Sequence, residues 1–450
     1  MTSNSNDSFP SFWDNPNDDE PFVRALPKIE LHVHLDGSFD PKLLWNHLQK
    51  HPELLQCFPV KTQFYGNRQL RNCVANCQSF SEYRRLTSVI TRRRRRKKKK
   101  KNEHNEEKVV DDGDSHQRPN FVPTLADMLL CFEFFLPLVY NSSSGDFLEE
   151  LAYDFVKRQA EQTIIYTEVR YAPHFLHKDP RQAVEYVTKG LRRGCSEYPH
   201  VIVNQILCAI NFQPENTPQV LSLTNEYFHQ FPCAVVGMDV AAGEDHFDTD
   251  SHLKALLSSS SEGETIPLTL HAGEVPERGG SNVVKAIETY GARRIGHGYQ
   301  IIQEDPKVLN ELIQKYPKTH FETCLDSSVQ TGGWIKEPKS TSNDPSPWMD
   351  HPANTFLQKG ISMSINSDDP SVFNTSLTWQ WRTAIHKMKW TRQDCHRVLL
   401  DTIQASFATN DEQEILQRRV TNFFETNNTT NNGDAAASLV FTDRVHYEDE

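Results

Sequence analysis

The 450-residue chain lacks any apolar run of about 18 residues, the length a membrane-spanning helix needs, so no membrane span is expected. Its opening residues, Met-Thr-Ser-Asn-Ser-Asn-Asp, have neither a basic cluster nor an apolar core, so no secretory signal is expected. Cysteine is sparse: nine residues (57, 73, 77, 131, 195, 208, 233, 324 and 395), an odd number without a Cys-x-x-Cys pair. That pattern argues against a disulfide framework and for reduced thiols, mostly in the core of a cytoplasmic protein. An excess of positive charge is also missing. The net charge is −12, and taking away the ten consecutive basic residues at 92–101 leaves the rest of the chain at −22. So acidic a body argues against a nucleic-acid substrate. What remains, 37% hydrophobic and 24% charged residues, is ordinary for a globular protein with a sizeable core. The length suits one large barrel-sized domain with appendages, or two to three smaller domains.

The most informative stretch is Pro-Lys-Ile-Glu-Leu-His-Val-His-Leu-Asp-Gly at residues 27–37. As a β-strand it turns Ile29, Leu31, Val33 and Leu35 to one side and Glu30, His32 and His34 to the other. Two imidazoles then stand about 7 Å apart on one face, a spacing that suits a shared metal ion. Alone, a His-x-His pair more often marks solvated or satisfied histidines.

Seven further strands are predicted at 163–171, 200–210, 234–240, 266–271, 293–297, 320–324 and 361–366. Helical patterns fall between most of them, near 147–160, 180–192, 216–229, 281–290, 305–315 and 351–359, with a helical set at 376–424. Eight strands in β-then-α order predict an α/β fold of the (β/α)8 TIM-barrel type, with extra helices. The domain is expected over 21–424, with a polar arm at 1–20, a low-complexity insertion at about 91–120 and a flexible acidic tail at 425–450. Residues 52–90 read as irregular or weakly helical. The basic run leaves a nuclear-import signal open beside the simpler reading of a tolerated insertion. Leu125, Met128, Leu129 and Phe132 repeat at i, i+3, i+4 and i+7, one helix face that either enters the core or walls an apolar pocket.

A barrel builds its active site at the C-terminal ends of its strands. There the sequence offers His32, His34 and Asp36 after the first strand, His271 and Glu274 after the fifth, His297 between two glycines after the sixth, and Asp368 and Asp369 after the eighth. His32, His34, His271 and Asp368 form a nitrogen-rich set that suits one zinc ion and a bound water. His297 is placed to hold that water and Glu274, three residues past a ligand, to move a proton; Asp369 can hydrogen-bond the substrate. Taken singly, His297 reads as a buried structural histidine, Asp368-Asp369-Pro370 as a turn or helix cap, and Glu274 as a surface residue. Taken together, at the ends of the strands, they point to a mononuclear zinc hydrolase.

These motifs, with Thr-Glu-Val-Arg-Tyr-Ala-Pro-His (167–174), Leu-His-Ala-Gly-Glu (270–274), Arg-Ile-Gly-His-Gly-Tyr (294–299), Thr-Cys-Leu-Asp-Ser-Ser-Val-Gln-Thr-Gly (323–332) and Ser-Ile-Asn-Ser-Asp-Asp-Pro (364–370), resemble the adenosine deaminase family. The likeness runs from about residue 27 to 373, interrupted at 52–120, and weakly beyond. It implies hydrolysis of the 6-amino group of a purine nucleoside by one zinc ion per chain, held by His32, His34, His271 and Asp368. It further implies Glu274 as proton donor to purine N1, His297 as the residue orienting the attacking water, Asp369 as partner of N7 and Asp36 as partner of the ribose 5′-hydroxyl. His34 also borders the substrate, and Leu125, Met128, Leu129 and Phe132 match the family's apolar gate. The turn after the fourth strand, Val240-Ala-Ala-Gly243-Glu-Asp, is one residue longer than the family's; Gly243, or else Ala242, is expected to meet purine N3. Asp at position 36 favours adenosine and 2′-deoxyadenosine, because relatives acting on adenine tend to carry Glu there and those acting on N6-methyl-AMP Asn. Those two activities are the near alternatives. A binuclear amidohydrolase would want a lysine in the fourth strand, and residues 235–243 have none. Oligomeric state is not legible, a monomer being compatible with the chain.

Overall fold

In the computed structural model the described residues are 21–58, 70–89, 124–142, 145–244, 252, 255–256, 265–276, 278–304, 306–334 and 347–429. The N-terminal arm, the basic insertion and the tail beyond residue 429 lie outside them.

Eight parallel strands are present: β1 (Lys28–His34), β2 (Ile164–Tyr171), β3 (Ile202–Ile210), β4 (Val235–Ala241), β5 (Thr269–Ala272), β6 (Arg294–His297), β7 (His320–Thr323) and β8 (Met363–Ile365). They pair in chain order as β1–β4 and β5–β8. Parallel bridges between Met238 and Leu268 and between Val33 and Asp368 join the two sets at both seams, closing a (β/α)8 barrel. The chain therefore has no free sheet edge between its first and last strands. Both faces of the strands are covered, so all strand residues are buried except partly buried His34, the charged Glu30, Glu168, Arg170, Asp239, Arg294 and Glu322 included.

Helices run between the strands at the expected places. Asp146–Glu161 and Pro180–Glu197 lie side by side, and the lack of a side chain at Gly190 lets its backbone come against Glu149 and Ala152. The predicted C-terminal set comprises Leu377–His386, Arg392–Ala405 and Asn410–Thr429. The last of these runs on through the first residues of the expected tail. Its Phe423 and Phe424 meet Phe22, at ring-centroid distances of 5.5 and 5.9 Å, and tie down the short helix Pro21–Ala25. The region 52–90, read as irregular or weakly helical, is described at 52–58 and 70–89. Short helices Leu70–Ala75 and Phe80–Leu86 occur there, with Leu70, Val74 and Tyr83 buried in the main core. Each is under two turns, too short for a periodic apolar pattern to register in the sequence.

Candidate active site

The alternation along β1 turns Ile29, Leu31 and Val33 away from Glu30, His32 and His34, as a pleated strand requires. At the strand ends His32, His34, His271 and Asp368 offer ligand atoms that all lie within 4.8 Å of one another. His32 Nε2 and His34 Nε2 are 3.2 and 3.6 Å from Asp368 Oδ1, and His34 Nε2 is 3.3 Å from His271 Nε2. The predicted ligand set is thus assembled from β1, β5 and β8.

The far side of two of these rings is fixed by carboxylates the sequence reading did not single out. His32 Nδ1 lies 2.9 Å from Glu322 Oε2, and His271 Nδ1 lies 2.8 Å from Asp239 Oδ2. A proton held on Nδ1 by a carboxylate leaves Nε2 bare and aimed at the ligand cluster. Arg170 joins both carboxylates, at 2.8 Å to Asp239 and 2.7 Å to Glu322. Arg294 bonds the other Glu322 oxygen at 2.7 Å and Glu168 at 2.6 Å. All of these charged groups are buried in the barrel interior. Ion pairs so deep are costly unless every member is matched, and here each carboxylate meets an arginine.

The donor set fits a metal ion. His32 Nε2 is buried without a hydrogen-bond partner, and two imidazole Nε2 atoms face each other beside a carboxylate. Such a knot of lone pairs calls for a cation, and three nitrogens with one oxygen match zinc. Burial holds His34 well below its ordinary pKa, neutral as a ligand must be.

The two neighbouring aspartates are driven apart. Burial would raise Asp368, but His297, His32 and His34 hold it well below the usual range. Asp369 is pushed well above it, first by burial and then by Asp368, Asp36 and Glu274. The pair thus divides into an ionised ligand and a protonated carboxyl able to donate. Gly37 has a specific role here: a Cβ on it would overlap the Asp369 carboxylate. Asp36, expected beside the ribose 5′-hydroxyl, is raised to about 7 by burial.

Three strand ends hold non-glycine residues in left-handed backbone: Ala242 (φ 59°), His297 (φ 68°) and Asp368 (φ 63°). Each costs about 1–3 kcal/mol, and such strain gathers where side chains must be aimed at a ligand.

A cavity of about 890 Å³ opens onto this cluster. His34, Asp36, His271, Glu274, His297, Asp368 and Asp369 line it, while His32 stands behind them. Leu125, Met128, Leu129 and Phe132 form part of its wall; all four also pack in the core, so both readings of that helix face hold. Their helix, Leu125–Phe132, starts at a reciprocal cap between Thr124 and Asp127. Of the two candidates after β4, Ala242 lines the cavity and buried Gly243 is not among its lining residues, because two successive left-handed residues carry the turn away. Glu244, which the sequence reading passed over, accepts hydrogen bonds from the backbone N–H groups of Gly273 (2.7 Å) and Glu274 (2.8 Å) and from Asn282 Nδ2 (2.9 Å). It fastens the turn that carries Glu274.

The family model described as adenosine deaminase matches residues 125–423. Adenosine deaminase of Bos taurus is 28% identical over 410 residues, covering 87% of this chain and 92% of the bovine protein. That of Xenopus tropicalis is 29% identical over 409 residues, covering 87% and 93%. Among solved structures, adenine deaminase from Arthrobacter aurescens superposes with a TM-score of 0.64 at 17% identity, covering 89% of this chain and all of that one (100%). Arabidopsis N6-mAMP deaminase does so with 0.65 at 18%, covering 90% and 100%. At those identities the two structures speak for the barrel fold.

Proposed function

The chain belongs to the adenosine deaminase family of hydrolases, and from that premise we propose that it hydrolyses the 6-amino group of adenosine and 2′-deoxyadenosine, giving inosine or 2′-deoxyinosine and ammonia. The observation that carries this reading is the convergence of His34, His271 and Asp368 with Glu274, His297 and Asp369 on one apolar-walled cavity. A single zinc ion held by His32, His34, His271 and Asp368 would bring the pKa of a bound water to about 7 and supply a nucleophile at neutral pH.

The remaining steps belong to the chain's own groups. Glu274 gives its proton to purine N1, which draws electrons away from C6 and opens it to attack. His297, buried and held neutral well below its ordinary pKa, first by burial, accepts a hydrogen bond from the attacking water and keeps it in line with C6. Glu274 and His297 lie 3.9 Å apart, so both border the point where the attacking water gives up the proton that the departing amine takes. Protonated Asp369 donates to N7, the backbone at Ala242 meets N3, and Asp36 accepts the ribose 5′-hydroxyl. The helix bearing Leu125, Met128, Leu129 and Phe132 keeps bulk water from the purine.

A second reading, a 5′-nucleotide substrate, is favoured by one observation: Lys178 and His177 line the same cavity. Initial rates with adenosine, 2′-deoxyadenosine, adenine, AMP and N6-methyl-AMP, with inosine and ammonia quantified together, separate the two. Adenosine consumed with equal yields of inosine and ammonia, and faster than the nucleotides, supports the nucleoside reading; preferred turnover of a nucleotide overturns it.

A further inference from the structure

The geometry points to Tyr299 as the positioning residue that fixes the tautomer of His297, so that Nδ1 carries the proton and Nε2 offers a bare lone pair to the site. The starting observation is a contrast among histidines. His32 and His271 rest their Nδ1 atoms on carboxylates, whereas His297 rests its Nδ1 on the phenol oxygen of Tyr299, at 3.2 Å. A carboxylate can only accept, so its effect on a ring is plain. A phenol can donate or accept, and which it does decides what His297 can do.

The other contacts of Tyr299 decide it. Its oxygen lies 2.8 Å from the carbonyl oxygen of Cys324 and 2.8 Å from the Cys324 backbone nitrogen. A carbonyl oxygen never donates, so two oxygens at that separation require the phenol hydrogen between them. The Cys324 N–H takes one lone pair of the phenol oxygen. What faces His297 is the remaining lone pair, and an acceptor there demands a hydrogen on Nδ1. Both side chains are buried, at 1% exposure each, so no solvent hydrogen bond competes. Tyr299 opens the 3-10 turn Tyr299–Gln303 directly after His297 and left-handed Gly298, a turn tight enough to bring the phenol back beside the imidazole two residues earlier.

The choice of a phenol has a chemical consequence. A carboxylate on Nδ1 would favour a charged imidazolium, which has no lone pair left; a neutral acceptor sets the tautomer without adding charge. Nε2 lies 3.9 Å from Glu274 Oε2 and faces the site as an acceptor. Resting on the reading that His297 orients the attacking water, Tyr299 thereby sets the direction of that hydrogen bond, water to His297 and not the reverse.

The test reads the tautomer directly and does not depend on turnover. Protein as purified, labelled with 15N-histidine, is examined by long-range 1H–15N correlation, with the His297 signals identified from their loss in His297→Gln. The expected pattern is a pyrrole-type Nδ1 and a pyridine-type Nε2 in the wild type, giving way to a tautomer mixture in Tyr299→Phe. In the same pair kcat for adenosine is expected to fall about 10-fold or more, with bound metal and KM within about 3-fold of wild type. A pyridine-type Nδ1 in the wild type overturns the proposal, as does a Tyr299→Phe spectrum with the wild-type tautomer. Absence of adenosine turnover in the wild type speaks against the deaminase reading and leaves the tautomer result standing on its own.

Discussion

At the scale of single residues the account depends on which carboxyl groups carry protons. Glu274 is the proposed acid for N1, and Glu274→Gln keeps its shape while removing the proton. The expected loss in kcat is at least about 10²-fold with metal content unchanged, the usual worth of a positioned acid. A variant retaining half the wild-type kcat would remove Glu274 from that role. Asp36 is the second case. A shared hydrogen bond to the 5′-hydroxyl is worth about 1–3 kcal/mol when the partner is left unmatched, and Asp36→Asn should lower kcat/KM for adenosine by that amount while improving AMP relative to adenosine. Unchanged discrimination between the two substrates would show that the 5′ position is read elsewhere. The residues that converge on the cavity were legible as candidates because His-x-His, His-Ala-Gly-Glu and Asp-Asp-Pro each stand out at a strand end. Asp239, Glu322 and Arg170 were not. A charged residue inside a strand reads from sequence as one facing solvent, and only the barrel's closure shows that these three face one another beneath the ligand cluster. Ala242 was legible only as one of two choices, since which left-handed residue of a turn faces a cavity is settled by backbone geometry.

At the scale of elements, the eight strands and the helices between them followed from their apolar runs and punctuation, because a strand covered on both faces and an amphipathic helix each leave a clear pattern. The bounds of the short helices within 70–86, where the sequence reads only as irregular or weakly helical, and the continuation of the last helix to Thr429 did not, the former for lack of length and the latter because Asn and Thr are poor helix formers. One helix start carries a testable titration. His351 caps Pro352–Lys359: its Nδ1 accepts the N–H of Ala353 at 3.1 Å, and its Nε2 donates to Ser328 Oγ at 2.9 Å. Burial lowers its pKa from 6.5 to about 3. Between those values the unfolded chain binds a proton that the folded protein refuses. The contribution of His351 to stability is thus complete above about pH 6.5 and is lost as the pH falls toward about 3. His351→Asn keeps a capping acceptor and removes the titration, so the drop in unfolding free energy from pH 7 to pH 5 should shrink by about 2 kcal/mol. Parallel pH profiles for wild type and variant would contradict the lowered pKa.

At the scale of the whole molecule, the barrel brings β1, β5, β6 and β8 to one rim, and the seam between Val33 and Asp368 is what sets the first ligand pair against the last ligand. Residues 92–120 lie outside the described residues, and their sequence has little apolar content to bury. Deleting them should leave kcat/KM for adenosine within about 3-fold, since shortening a connection changes closure entropy by only about 0.6 kcal/mol per halving. A collapse of soluble yield or of turnover would make the segment part of the folded enzyme. The central claim is that one metal ion, held by His32, His34, His271 and Asp368, makes this chain an adenosine deaminase. It is tested most directly by stripping the protein of metal with a chelator and following inosine formation from adenosine as zinc is returned. The account predicts no turnover without metal, recovery in proportion to added zinc, and a break at one equivalent per chain. Turnover that survives full metal removal, or a break at two equivalents, would contradict it.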